Sequence, residues 1–256
     1  MTNLTLEGLV LDMDGVFYVG DKLLDGATET LQALREKDLP FRFITNTTTR
    51  SPDELVEKLE RLGLDAHRDE IFTAVSATVE YLQQRGKPSV YLLVRDSVRA
   101  CFSDFKHNDE NPDFVVIGDI GASWDYETLN RVFNMLMNGS KLICMHRNKY
   151  FQAEEGLRMD IGAFVAALEY VSDKKAIVIG KPAPAFFQMV LSSLGLPAQK
   201  VAIVGDDIES DVGGGQAVGM QGILVKTGKY REEIARKSSV QPDQLIESIA
   251  ALADIL

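Results

Sequence analysis

Asp12 and Asp14 stand one residue apart at the end of the apolar run Leu9-Val10-Leu11, and Gly15 follows them. The run reads as a short buried strand, with the glycine as its stop. Two carboxylates so close repel each other unless a cation neutralises them, which a hard divalent ion such as Mg2+ does with oxygen ligands. The bland alternative is a pair of solvated acids at a strand end. Three further polar groups also follow apolar runs. Thr45-Asn46-Thr47-Thr48-Thr49-Arg50 succeeds Phe41-Arg42-Phe43-Ile44. Its hydroxyl, amide and backbone N–H groups suit phosphate oxygens, or equally a loop that caps the next helix. Lys181, between Gly180 and Pro182, is placed to act as a fixed point charge toward a phosphate, or is an ordinary lysine in a turn. Asp206, Asp207, Glu209 and Asp211 follow Val201–Gly205. Such a cluster calls for a cation, or suits the positive end of a helix dipole.

Alternating elements must position these groups. Residues 8–13 and 41–45 read as strands. Residues 27–37 read as a helix with Ala27, Leu31 and Leu34 on one face. Ser51-Pro52-Asp53-Glu54 reads as a helix start, and Gly63 as its close. The β-branched runs 176–180, 201–205 and 222–225 predict further strands, separated by helical patterns at 184–195 and 210–218, with a last helix around 242–255. This is the pattern of a parallel sheet with helices on both faces. In the middle, strands at 91–94, 114–118 and 142–145 alternate with helical patterns at 97–105, 125–138 and 160–170. Composition leaves open whether they extend the first sheet or form a domain of their own. The interval from Thr45 to Lys181 is several times the ~30 residues of a βαβ unit, whereas that from Lys181 to Asp206 fits one unit. The surplus is the size of a small domain, placed at 77–176.

The 256 residues carry 27 Lys and Arg against 38 Asp and Glu, a net charge of −11, which disfavours nucleic acid and anionic membranes as partners. No apolar run approaches the ~20 residues of a membrane span, and no signal peptide is evident. The two cysteines, Cys101 and Cys144, make no disulfide framework and fit a reduced cytoplasmic protein.

Asp12-x-Asp14, then Thr45-Asn46, then Lys181, then Asp206 to Asp211, in that order, resembles the motif series of the haloacid dehalogenase-like hydrolases. With residues 156–170 and Leu224-Val225-Lys226-Thr227-Gly228-Lys229-Tyr230, the chain is similar to subfamily IIA, which carries a C2a cap. That subfamily includes 4-nitrophenylphosphatases and the phospholysine, phosphohistidine and inorganic pyrophosphate phosphatases. The resemblance implies an α/β fold: a Rossmann-like catalytic core at 1–76 and 177–256, with an inserted α/β C2-type cap at 77–176.

It also implies a Mg2+-dependent phosphatase for a small phosphorylated metabolite. Asp12 would be the nucleophile that forms an aspartyl-phosphate, and Asp14 the general acid and then base. Mg2+ would be held by Asp12, the Asp14 backbone carbonyl and Asp206. Thr45, Asn46 and Lys181 would bind phosphate, with Asp207 and Asp211 supporting them from behind. Asp14 separates this chemistry from that of dehalogenating and phosphonate-cleaving relatives, which lack an acid there. P–N bonds or inorganic pyrophosphate are the alternative targets, and a non-catalytic phosphate-binding protein is a third reading. Substrate choice is expected from the cap, where His146, Arg147, Asn148 and Tyr150 follow a strand. Many subfamily members have Thr-Asn-x-Asp at that position, so this chain departs from them. Related proteins pair through their caps, which implies a homodimer. Trp124 and Tyr126 read as cap core or interface, and Gly213-Gly214-Gly215 lacks the spacing of a dinucleotide loop.

Overall fold

Every residue of the first strand, Gly8–Asp12, is buried, as a strand covered on both faces requires. The computed structural model describes residues 6–153 and 156–256. In chain order the strands are β1 (Gly8–Asp12), β2 (Tyr18–Val19), β3 (Lys22–Leu23), β4 (Phe41–Thr45), β5 (Ile71–Thr73), β6 (Val90–Leu93), β7 (Phe114–Ile117), β8 (Lys141–Cys144), β9 (Tyr150–Ala153), β10 (Gly156–Met159), β11 (Ile177–Val178), β12 (Val201–Gly205), β13 (Gln221–Val225) and β14 (Gln244–Ile246). The chain divides into two compact units. One holds residues up to Thr45, Pro52–Phe72 and Lys181–Leu256; the other holds Asn46–Ser51 and Thr73–Gly180.

The first unit is built on a sheet of order β14-β13-β12-β1-β4-β5. β1 pairs in parallel with both β12 and β4, so the strand order reverses about β1. In an open α/β sheet that switch point opens a crevice at the carboxyl ends of the strands, where ligands bind. Leu9 and Leu11 point into one core with Phe43, Val204 and Ile223. Val10 and Ile203, on the opposite face, are equally buried. The helix Ala27–Glu36 adds Leu31 and Leu34 to that core, and Pro52–Arg61 adds Leu55 and Leu59. Each such fully buried leucine stabilises the fold by roughly 1.5–3 kcal/mol. Proline at the first position of Pro52–Arg61 gives up an N–H that the helix leaves unpaired there anyway.

The second unit has its own parallel sheet, of order β11-β8-β7-β6. The helices Tyr126–Met137 and Ile161–Ser172 pack on it through Val132, Leu136, Ile161 and Val165. A two-stranded antiparallel ribbon, β9 with β10, completes it.

Three sequence expectations change. The strand expected at 176–180 is the two-residue β11, which pairs with Ile143 and Cys144 of β8 and so belongs to the second sheet. An apolar run specifies a strand but not the sheet it joins. The helix expected around 242–255 is an edge strand, β14, followed by a 3-10 turn, Ile249–Asp254. Asp243 accepts hydrogen bonds from Gly222 N and Gln216 Nε2, which draws Gln244 into parallel register with β13. The expected helix at 210–218 is a wide π-type turn, Ile208–Gly213, and one short helical turn. Among the described residues, no helix is long and apolar enough to cross a membrane.

Candidate active site

The carboxyl ends of β1, β4 and β12 carry Asp12, Thr45 and Asp206. Asp12 closes β1, Thr45 closes β4, and Asp206 follows Gly205 of β12. All three are buried. Lys181, also buried, donates a hydrogen bond to Asp12 Oδ1 at 2.7 Å. Its ammonium stands 2.7 Å from Asp211 Oδ1 as well, an ionic contact rather than an aligned hydrogen bond. Asp211 reaches that place because the 207–212 turn is wide: the N–H groups of both Asp211 and Val212 donate to Asp207 O. Asp211 Oδ2 then accepts from Asp207 N at 3.1 Å. Asp207 Oδ1 caps the same turn by accepting from the N–H groups of Glu209 and Ser210. Of these two acids, Asp211 is the one in ionic contact with Lys181 among the contacts of the described residues.

Asp14 is exposed, in a turn where Gly15 N donates to Tyr18 O at 2.7 Å. Gly15 has φ +89, and a Cβ there would lie 1.8 Å from Asp206 Oδ2. The turn therefore needs glycine twice over, for its left-handed backbone and for the close approach of a carboxylate. The loop after β13 presses on the same carboxylate. Lys229 N donates to Asp206 Oδ2 at 2.7 Å, and Thr227 Oγ1 donates to Gly15 O at 2.5 Å. Sequence reasoning gave this loop no role. Its signal lay only in the resemblance of 224–230, because its contacts depend on β13 lying beside β12.

Asn46 falls in the second unit, where its Oδ1 lies 2.5 Å from the place a Cβ on Gly180 would take. The other residues expected to bind substrate also lie there. His146 is buried, its Nε2 3.8 Å from Asp160 Oδ1, and its Nδ1 accepts from Asn148 N at 3.3 Å. Arg147 pairs with Glu169 of Ile161–Ser172 at 2.5 Å, and Glu169 Oε1 also accepts from Ala176 N. Tyr150 is exposed on β9. His146 and Arg147 thus brace their own loop, with Arg147 and Tyr150 both still exposed to solvent.

The electrostatics of the cluster are those of too many acids for one lysine. Burial pushes the Asp12 carboxyl up to about 6; Lys181 opposes this and Asp211 reinforces it. Burial, then Asp12 and Asp211, push Asp206 up to about 8. Lys181 is held above its ordinary value because Asp12 and Asp211 outweigh its own burial. The charged Lys181 therefore offsets only part of the burial and mutual repulsion that raise Asp12. Asp206 Oδ1 is buried with no hydrogen-bond partner among the described residues, and Asp12, Asp206 and Asp211 offer carboxylate oxygens within 4.8 Å of one another. Hard oxygen donors with an uncompensated negative charge fit a divalent cation such as Mg2+.

A stability prediction follows. The folded metal-free protein holds a proton on Asp12 from about pH 4 to about pH 6, and on Asp206 up to about pH 8, that the unfolded chain has released. Metal-free stability should fall as pH rises through that window, and Mg2+ should restore it. Thermal melts with and without Mg2+ test this: the gain from Mg2+ should be larger at about pH 8 than at about pH 5. An equal gain at both would contradict the assignment.

The fold and the site are those of an α/β enzyme: a parallel sheet with a buried carboxylate–lysine cluster at its switch point, where such sheets bind their ligands. Residues 9–106 match the haloacid dehalogenase-like hydrolase family, and 178–252 match a second family description of the same hydrolase type. The chain is 38% identical to the haloacid dehalogenase-like hydrolase domain-containing protein 2 of Bos taurus, over 99% of this chain and 96% of the bovine protein. It is 36% identical to the human phospholysine phosphohistidine inorganic pyrophosphate phosphatase, over 98% of this chain and 94% of that one. The 4-nitrophenylphosphatase of Thermotoga maritima superposes with a TM-score of 0.91 at 33% identity, covering 98% of this chain and 97% of its own. The chain belongs to the haloacid dehalogenase-like hydrolases, within the phosphatases of subfamily IIA.

Proposed function

We propose that the protein is a Mg2+-dependent phosphatase that hydrolyses a small phosphorylated substrate through an aspartyl-phosphate on Asp12. The observation that carries this reading is the buried Asp12–Lys181 pair, 2.7 Å long, beside the unpartnered Asp206 Oδ1. Lys181 fixes the Asp12 carboxylate for in-line attack on phosphorus. As the new oxygen–phosphorus bond forms, the bond to the leaving oxygen breaks, and Asp14 gives that oxygen its proton. Asp14 then takes a proton from water, the water oxygen attacks phosphorus, and phosphate departs from a regenerated Asp12. Thr45, Asn46 and Lys181 hold the phosphoryl oxygens, and Asp211 keeps Lys181 in place. Asp12, the Asp14 backbone carbonyl and Asp206 would hold Mg2+, which when bound would supply positive charge that lets carboxylate and phosphate meet.

In this reading the first unit, residues up to Thr45 with 52–72 and 181–256, is the catalytic core, and the second, with 73–180, is a substrate-selecting cap, so the cap extends a few residues beyond the expected 77–176 at either end. Tyr126, Met137 and Tyr170 expose apolar surface on the cap, which supports pairing of two copies there. Two unbridged cysteines fit a cytoplasmic location. A second reading, favoured by the name of the 36% identical human relative, is hydrolysis of P–N bonds or inorganic pyrophosphate.

Turnover of 4-nitrophenyl phosphate with and without Mg2+ tests the class; no turnover by purified protein would refute it. Asp14→Asn tests the roles within it. It should slow alkyl phosphates about 100-fold or more and 4-nitrophenyl phosphate far less, since nitrophenolate leaves without a proton. Equal slowing of both would remove Asp14 as the acid.

A further inference from the structure

Lys229 is the cation of this site that the mechanism above does not use. It sits on the loop after β13, and its backbone N–H is bound to Asp206 Oδ2. Gly228 before it has φ +57, and a Cβ there would lie 2.0 Å from the same oxygen. The main chain at 228–229 is thus pinned against Asp206, which fixes where the Lys229 side chain starts. That side chain is exposed, unlike Lys181, and it starts from a main-chain N–H only 2.7 Å from Asp206 Oδ2, so its charge is tethered to the rim of the carboxylate cluster. Lys181 is already committed to two carboxylates. With a divalent ion bound, its charge and that of Lys181 only cancel the three acids Asp12, Asp206 and Asp211. A site of that kind has no net attraction for a phosphoryl dianion. One more ammonium at its open side makes it positive, and a concave site focuses that charge.

We propose that Lys229 is a positioning residue that gives the loaded site its net attraction for the phosphoryl dianion, at the cost of weaker divalent-cation binding. The inference rests on the functional reading above. Its two effects have opposite signs, because a fixed positive charge repels the metal and attracts the phosphate. A purely structural role for the loop would weaken both.

Calorimetric titration of the whole protein, first with Mg2+ and then with inorganic phosphate at saturating Mg2+, separates these cases. In Lys229→Met, Mg2+ should bind tighter and phosphate about tenfold weaker than in the wild type. Lys229→Arg should bring both back toward wild type. If wild type binds both ligands and Lys229→Met leaves phosphate binding unchanged, this inference falls and the functional reading stands. Weakening of both ligands without rescue by arginine also overturns it. If wild type binds neither Mg2+ nor phosphate, both readings fall.

Discussion

Asp12→Asn should lower turnover of 4-nitrophenyl phosphate by about ten-thousand-fold and leave the protein folded. An amide cannot act as the attacking oxyanion, and removing a covalent nucleophile costs about this much or more elsewhere. The fold should survive because the substitution is nearly isosteric and Lys181 keeps Asp211 at 2.7 Å. The amide oxygen of the introduced asparagine can still accept the hydrogen bond that Asp12 Oδ1 accepts now. Steady-state rates with a circular-dichroism melt read both quantities. A variant that keeps a tenth of the activity would contradict the assignment.

Lys181→Met should cost activity and, unlike Asp12→Asn, stability. Methionine fills the volume but leaves Asp12 and Asp211 buried without their shared cation. Breaking a buried ion pair on one side costs about 3 kcal/mol. The cost should depend on pH with a definite sign. Without Lys181 the Asp12 carboxyl loses the charge that opposes its burial and titrates still further above the ordinary value of 3.8. The penalty is therefore full at about pH 8 and shrinks as the pH falls and Asp12 takes up a proton. Urea midpoints of wild type and variant at about pH 8 and pH 5 check it. The same loss at both would mean that Lys181 acts by packing alone.

What the sequence discloses about this molecule follows from how local each signal is. The core strands β1, β4, β12 and β13 are legible because apolar runs ending in Gly or polar residues carry their own boundaries. Asp12 and Asp206 are legible because each sits at the end of such a run, and the parallel strands β1 and β12 bring those ends to one edge. Lys181 also follows a run, but that run pairs in the other sheet, so its place beside Asp12 leaves no local trace. The membership of β11 in the second sheet is not legible, because pairing partners leave no local trace. Nor is β14, whose register depends on Asp243 reaching Gly222 about twenty residues earlier. Lys229 is invisible for the same reason: only the adjacency of β12 and β13 sets its loop against Asp206. His146 and Arg147 show the converse. Their types suggest ligand binding, but Asp160 and Glu169, later in the chain, take them into the structure of the loop.

The claim on which these expectations turn is that the phosphoryl group passes through Asp12. Acid quenching of a single turnover with excess protein, then peptide mapping by mass spectrometry after borohydride reduction, tests it directly. An acyl phosphate on Asp12 is reduced to homoserine, so residue 12 should appear as homoserine in wild type and not in Asp12→Asn. Turnover with unmodified residue 12, or with the modification at another residue, would contradict the account.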